Sequence, residues 1–217
     1  MNEERELIRT RLRFLDLLKS FFVKKPDAEA IARWRGMLSA LTSQNITPAF
    51  DQAARELHHH LSQANREEID AEFYTLFTDP FSPALVPVSA SIYFDGHGFG
   101  QTLVRYRDFL GRAGIVLADE TRDPDDSLVL MLDALATLIE ENRKGTDTQG
   151  MQAELVHDFL APLAARFTKN LDKNDQTRFY RLCAHLLDAY MGMEKDLLPE
   201  PGNRNENREL TRQRETM

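Results

Sequence analysis

Apolar residues recur at intervals of three and four along most of the chain, a spacing typical of amphipathic α-helices. The first segment shows this spacing at five positions: Ile8, Leu12, Leu15, Leu18 and Phe22. No stretch alternates apolar and polar residues as a half-buried strand does, and there is no internal repeat or coiled-coil heptad. The sequence therefore predicts an all-α fold, a single globular, bundle-like domain of about eight helices around one core.

Capping residues and prolines predict where helices begin. Thr47 is a suitable N-cap with Pro48 at the first helical position, and Asp123 and Pro124 form a similar pair. Pro162 is expected to kink a long helix. The predicted helices cover about residues 3–23, 27–41, a segment after Thr47, 66–77, 100–113, a segment after Asp123, 148–170 and 174–196.

Residues 78–98 break the helical spacing. Prolines and glycines punctuate this segment, and only one helical turn, near residues 91–94, fits its sequence. A loop of this length is uncommon in a compact domain unless it has a function. Its apolar residues are numerous for a connector: Phe81, Leu85, Val86, Val88, Ile92, Tyr93 and Phe94. We expect them to pack on the helices or to form a groove.

Composition limits the classes of partner. The 217 residues carry a formal net charge of −8, which argues against nucleic acid as the main partner. No apolar run reaches the roughly 18 residues of a transmembrane helix, so we expect a cytoplasmic protein without membrane insertion. The single cysteine, Cys183, lies in an apolar helical pattern and is predicted to be a buried structural thiol. Residues 199–217 are polar and are expected to form a disordered tail or a weak helix.

A carboxylate-bridged metal-binding bundle is one alternative function. Di-iron bundles use Glu-x-x-His on two helices, and this sequence contains the pattern at Glu56–His59 and Glu154–His157. By helical phase both pairs lie opposite the apolar faces of their helices, whereas such a metal site must face the core. We therefore expect no metal and no other cofactor. Serine-nucleophile, dinucleotide-binding and phosphate-loop motifs are absent too, so no enzyme activity is predicted.

Three aspartates within four residues precede a leucine-rich segment: Asp123, Asp125 and Asp126. A helix cap explains Asp123, and negative charge near a helix N-terminus is favourable. Capping explains the whole cluster less well, because neighbouring carboxylates repel one another unless solvent or a cationic partner separates them. The cluster is therefore a candidate site for a basic ligand.

Three sequence blocks resemble the TorD/DmsD family of chaperones for molybdenum-cofactor enzymes. They are FYTLF at residues 73–77, the proline-rich loop with Pro87 and the Ser91–Tyr93 pair, and DPDD at residues 123–126. Their order and spacing fit the family pattern. The chain departs from the family's Glu-Pro-x-Asp-His motif and its later glutamate at three positions, where it has Asp123, Ser127 and Met131. Pro87 also lies one residue further from Ser91 than is common, and a tryptophan often found near Arg166 is missing.

The resemblance covers about residues 5–197 and implies a division of the chain. An N-terminal part (about residues 1–115) and a C-terminal part (about 124–198) would be joined by a hinge at about 116–123. Together they would make one chaperone domain, as a monomer or a homodimer.

The resemblance also implies a function. Members bind the twin-arginine signal peptide and the apo form of a partner oxidoreductase, and delay its export until the molybdenum cofactor is inserted. The peptide contacts it implies here are Tyr74, Phe77, Pro87, Ser91, Tyr93, Asp123, Asp125, Asp126 and Ser127. Carboxylates would pair with the arginines, and the loop would cover the apolar stretch. A helical signalling adaptor, which binds folded partners and ignores signal peptides, is the other alternative.

Overall fold

The computed structural model of the protein describes residues 2–117, 124–198 and 200. These residues contain ten α-helices and two π-helical turns, and no β-strand occurs among them, which confirms the all-α prediction. The helices are α1 (Asn2–Phe22), α2 (Ala28–Leu41), α3 (Pro48–Gln63), α4 (Arg66–Phe73), α5 (Ala90–Asp95), α6 (Gln101–Ala113), α7 (Leu128–Arg143), α8 (Gln149–Glu154), α9 (Ala161–Asp172) and α10 (Phe179–Leu197). The π-helical turns are Tyr74–Thr78, directly after α4, and Leu155–Leu160, between α8 and α9.

One hydrophobic core is shared by the described helices. α10 packs against α9, α3 and α1, and α1 also packs against α7. Aromatic rings fill the contact between the first two helices and the last one: Phe21 contacts Trp34 with ring centroids 5.0 Å apart, and Trp34 stacks on Phe179 at 5.6 Å. The predicted burial of Cys183 is confirmed, and burial raises the pKa of its thiol well above the usual value. No helix in the described ranges is long and apolar enough to cross a membrane.

At Pro162, where the sequence predicts a kink, the structure has a π-helical turn directly before α9. Pro162 is in the first turn of α9, and the turn Leu155–Leu160 ends directly before that helix. Proline has no N–H group to donate to the preceding helical turn, so the regular hydrogen-bond ladder is interrupted here. A π-helical turn is one of the ways in which a helix accommodates such an interruption.

The predicted helix start at Asp123 is wrong. α7 begins at Leu128, and its N-cap is Ser127, whose Oγ accepts a hydrogen bond from the backbone N–H three residues further on. Asp123 itself lies outside the described residues. Asp125 and Asp126 form a turn before the helix, so neither lies in its first turn, where the helix dipole was expected to favour them. Serine is as good an N-cap as aspartate, and Asp126 is held in the turn by remote contacts.

The start of α10 was also predicted too early. It begins at Phe179, about five residues after the predicted start at 174. The carboxylate of Glu72, on α4, accepts hydrogen bonds from the backbone N–H groups of Arg178 (2.8 Å), Phe179 (3.0 Å) and Tyr180 (2.9 Å). A carboxylate from a distant helix thus binds the free N–H groups that every helix start exposes.

The predicted hinge at 116–123 and the tail at 199–217 fall almost entirely outside the described residues. The division of the domain into two parts, and the disorder of the tail, therefore stay predictions.

Candidate functional site

The segment between the first π-helical turn and α5 is an ordered loop. Asp79 Oδ1 accepts a hydrogen bond from the N–H of Phe81 (3.0 Å), and Ser82 Oγ accepts one from the N–H of Ala84 (3.1 Å). Val86 donates its N–H to the carbonyl of Leu76 (2.8 Å). Ala84 and Val86 are buried. The loop therefore packs on the helices, as its apolar content led us to expect.

The end of this loop is paired with the segment before α7. Ser89 and Ser127 form an isolated antiparallel bridge. Its backbone hydrogen bonds run from Ala90 N–H to the carbonyl of Asp126 and from Leu128 N–H to the carbonyl of Val88, both at 2.9 Å. These bonds join two segments that lie far apart in the sequence.

The carboxylate of Asp126 completes this junction. Oδ1 accepts a hydrogen bond from the hydroxyl of Ser89 (2.8 Å), and Oδ2 accepts one from the backbone N–H of Ser91 (2.6 Å). Asp126 has no exposed surface, and neither of these partners carries a charge. We call Ser89, Ser91, Asp126 and Ser127 the loop latch. Because a buried carboxylate needs its hydrogen bonds, the latch holds the loop in one position.

Burial separates the predicted peptide contacts into two groups. Ser91, Asp126 and Ser127 have no exposed surface, so in this structure they support the site from within and do not lie on its surface. The sequence predicted that Asp126 would pair with a peptide arginine, and in this structure no part of its side chain is open to solvent. Tyr74 is exposed, and the other described members are half-buried: Phe77, Pro87, Tyr93 and Asp125.

The half-buried members are held by specific contacts. The hydroxyl of Tyr93 donates a hydrogen bond to the carbonyl of Pro87 (2.8 Å), and burial raises its pKa. The ring of Phe77 lies 5.2 Å from that of Tyr180 and 6.1 Å from that of Phe22. Since these side chains are fixed, only their exposed edges are open to a ligand.

Asp125 is the one described aspartate of the DPDD block that is open to solvent. Its carboxylate lies 2.6 Å from Nε of Arg107 on α6, and the two side chains are 31% and 57% exposed. An exposed ion pair of this kind contributes about 0–1 kcal/mol to stability, because water competes with it. The arginine partner of Asp125 is therefore easily exchanged.

A groove next to the loop was not found from the sequence. It has a volume of about 740 Å³. Pro83, Ala84 and Leu85 form one wall, and Arg166, Lys169 and Lys173 lie on the opposite wall. The three cations follow an i, i+3, i+7 spacing, which places them on one face of α9 and can be read directly from the sequence. Such a charged face is usually only solvated, and the opposite wall is too remote in sequence to be inferred.

The Glu56–His59 pair lies away from the core, as its helical phase predicted, whereas Glu154 and His157 are half-buried. Glu56 and His59 are exposed. Glu154 forms an ion pair with Arg112, and a ring nitrogen of His157 lies 3.0 Å from the carbonyl oxygen of Leu198. In the part of the chain that the structure describes, no group of three histidine, cysteine or carboxylate residues is placed to hold a metal ion.

Comparison with known proteins places this chain in a family. The family model described as nitrate reductase delta subunit matches residues 43–171, more than half of the chain. The chaperone protein TorD of Vibrio cholerae is 26% identical over 203 residues, covering 84% of this chain and 89% of that protein. TorD of Actinobacillus succinogenes is 30% identical over 131 residues, covering 60% and 65%.

A solved structure is also similar to this chain. The crystal structure of a putative redox enzyme maturation protein from Archaeoglobus fulgidus has a TM-score of 0.49 and 16% sequence identity, covering 84% of this chain and 93% of that one.

Proposed function

This chain belongs to the nitrate reductase delta subunit family, and from this premise we propose that it is a system-specific chaperone for a molybdenum-cofactor oxidoreductase. In this proposal it binds the twin-arginine signal peptide and the apo form of its client, assists cofactor insertion and delays export. The relatives described above are named chaperones, which is a non-enzymatic role.

The observation that carries the proposal is the exposure of large apolar side chains at the loop. Tyr74 is 54% exposed, Phe81 92% and Leu85 44%. A contiguous patch of exposed apolar side chains is typical of a surface that a partner covers, and we propose that these three side chains form one. The apolar stretch of a signal peptide is a suitable partner, because burying these side chains removes apolar area from water.

Asp125 supplies the electrostatic part of the proposed site. It is adjacent to Asp126 in the loop latch, so its position relative to the loop is fixed. A client arginine would replace Arg107 as its partner, at small cost to the chaperone, because the exposed pair contributes little. A guanidinium–carboxylate pair that the bound peptide shields from water is stronger than the exposed pair it replaces.

The loop latch has a supporting role in this proposal. Asp126 binds Ser89 at the end of the loop and Ser91 in the first turn of α5, and Ser127 caps α7. The latch therefore holds the apolar loop beside Asp125 before the client arrives. A site that is already ordered loses less entropy on binding than one that must first fold.

The first experiment identifies the client. The chain is used as bait in extracts of its native host, and mass spectrometry identifies the retained proteins. We expect the precursor of a molybdenum-cofactor oxidoreductase with its signal peptide uncleaved. Equal retention of the mature, cofactor-loaded enzyme would contradict a chaperone role and favour a signalling adaptor.

The second experiment tests the apolar surface with matched variants. Leu85→Ser and Leu7→Ser change leucines of nearly equal exposure, 44% and 45%, on the loop and on α1. Leu85→Ser, alone or with Phe81→Ser, should weaken binding of the client's signal peptide several-fold in fluorescence anisotropy, whereas Leu7→Ser should not. Equal effects of the two leucine changes would exclude the loop as the contact surface.

A further inference from the structure

The groove between the loop and α9 is positively charged, although the whole chain carries a net charge of −8. Arg166, Lys169 and Lys173 line it and are exposed, and Asp175 is the one carboxylate among its lining residues. In the described part of the chain, neither lysine forms an ion pair. A local excess of positive charge on an acidic protein attracts an acidic ligand and repels an arginine-rich one. This groove is therefore unsuited to the twin-arginine end of a signal peptide.

The spacing of the cations indicates an extended ligand. Arg166 and Lys173 are seven residues apart on α9, or about 10 Å along the helix axis. An extended peptide places side chains of one face about 7 Å apart and the alternate side chains on the opposite face. A peptide lying in the groove would direct alternate side chains to the cations of α9 and to the apolar wall at residues 83–85.

Both walls of the groove are held in place. Nδ2 of Asn174 donates a hydrogen bond to the carbonyl of Ala84 (2.9 Å), which ties the loop wall to the end of α9. The guanidinium of Arg166 donates to the carbonyl of Tyr93 and lies 4.3 Å from the ring centroid of Phe94. Arg166 is therefore positioned before any ligand arrives, which lowers the entropy lost on binding.

We propose that this groove binds an extended acidic segment of the client, in which carboxylate and apolar side chains alternate. The assignment of that segment to the client rests on the proposed function, whereas the chemistry of the groove does not. Asp175 lies beyond Lys173 in the sequence and repels carboxylates there, so the acidic residues of the segment lie between Arg166 and Lys173.

A compact anion such as phosphate fits this groove less well. The charges of Arg166, Lys169 and Lys173 are spread along the helix, so one small anion reaches only part of them. The side chains of Pro83, Ala84 and Leu85 offer phosphate no hydrogen bonds.

The test uses a short acetylated, fluorescently labelled peptide in which aspartate and leucine alternate. Its binding to the full chain is measured by fluorescence anisotropy at low and at physiological salt. Each exposed ion pair contributes about 0.2–1 kcal/mol, so Lys169→Gln with Lys173→Gln should weaken binding about two- to thirty-fold. The affinity of the parent chain should fall as salt rises, because salt screens exposed charges.

A matched control separates the groove from the total charge. Lys24→Gln with Lys195→Gln removes the same charge at exposed positions that do not line the groove, and should leave binding unchanged. A peptide with asparagine in place of aspartate should bind weakly to every variant. Equal loss in the control double variant, or equal binding of the asparagine peptide, would overturn the proposal. Competition by inorganic phosphate as effective as that by the unlabelled peptide would show a small-anion site and overturn it too.

The same variants distinguish this inference from the proposed function. Lys169→Gln with Lys173→Gln should leave binding of the client's twin-arginine peptide unchanged, because the positively charged groove does not bind the arginine end of that peptide. If the parent chain binds the twin-arginine peptide but not the acidic one, the groove proposal fails alone. If it binds the acidic peptide but no twin-arginine peptide, the assigned chaperone function fails while the groove chemistry stands.

Discussion

Two buried carboxylates in this molecule, those of Glu194 and Asp126, have hydrogen-bond partners of different kinds. Glu194, on α10, is 2% exposed and binds Arg11 of α1 through both of its oxygens, at 2.7–3.2 Å. Tyr190 and Gln152 complete that network. Asp126 is fully buried, and its partners in the loop latch are a hydroxyl and a backbone N–H, neither of which is charged.

The difference shows which region is structural and which supports a site. The Arg11–Glu194 pair joins α1 and α10 inside the core, so removing either partner leaves an unpaired buried charge. The loop latch joins a surface loop to the start of α7, next to the exposed Asp125. We infer that the first region determines global stability and that the second determines the position of the loop that is proposed to bind the signal peptide.

The largest effect is expected at the core pair. Glu194→Ala leaves the guanidinium of Arg11 buried without a carboxylate, which should lower the free energy of unfolding by about 3–5 kcal/mol. Thermal and urea denaturation measure this change in the free energy of unfolding. The double variant Arg11→Met with Glu194→Leu should recover most of the loss, because it leaves no charge unpaired. A loss below 1 kcal/mol in Glu194→Ala would remove the distinction between the two regions.

The second effect is expected at the loop latch. Asp126→Asn replaces one carboxylate oxygen by an NH2 group, which cannot accept a hydrogen bond from Ser89 or Ser91. Losing charge-assisted bonds at a buried site should lower stability by about 1.5–3 kcal/mol. Hydrogen exchange should show faster exchange at residues 86–91 and little change in α1. Uniform loosening of the whole chain would show that the latch belongs to the core.

Glu72 offers an intermediate case, because it is half-buried and accepts only from backbone N–H groups at the start of α10. Glu72→Gln keeps one acceptor oxygen but loses the charge that favours a helix N-terminus. The expected cost is about 1 kcal/mol, as for a lost cap. Amide exchange in the first turn of α10 should accelerate, and unchanged exchange there would show that the contact has no capping role.

The smallest effect on stability is expected at Asp125. Asp125→Asn removes an exposed pair with Arg107 and should change the free energy of unfolding by less than about 1 kcal/mol. Urea denaturation of this variant beside Asp126→Asn compares neighbouring residues that undergo the same chemical change. Equal destabilisation by Asp125→Asn and Asp126→Asn would show that the greater burial of Asp126 gives it no larger part in stability than Asp125 has.

The sequence predicted the elements whose signals are local. Apolar spacing located the helices, and Thr47 with Pro48 marked the start of α3, where Thr47 Oγ1 accepts from the N–H of Phe50. Both depend on neighbours within a few residues.

The two helix starts that were predicted wrongly are determined by contacts with residues far away in the sequence. The start of α7 was misplaced because Asp126 binds Ser91, in α5, and Ser89, at the end of the loop, which are 35 and 37 positions away. The start of α10 was misplaced because Glu72 lies 106 positions from Arg178. The structure brings the loop and the turn at Asp125 and Asp126 together, but the apolar spacing gave no means of predicting that Asp126 is buried while Asp125 is partly open to solvent.

The central claim is that Asp125 recognises the arginines of the client's signal peptide. Its most direct test is a double-mutant cycle between Asp125 and these arginines, measured by isothermal titration calorimetry. We predict that changing the two peptide arginines to glutamine weakens binding to the parent chain about ten-fold or more. Asp125→Asn should also weaken binding of the native peptide. It should hardly affect binding of the glutamine peptide, because that peptide has already lost the arginines with which Asp125 pairs. Equal binding of the native and glutamine peptides by the parent chain would contradict recognition of the twin-arginine motif.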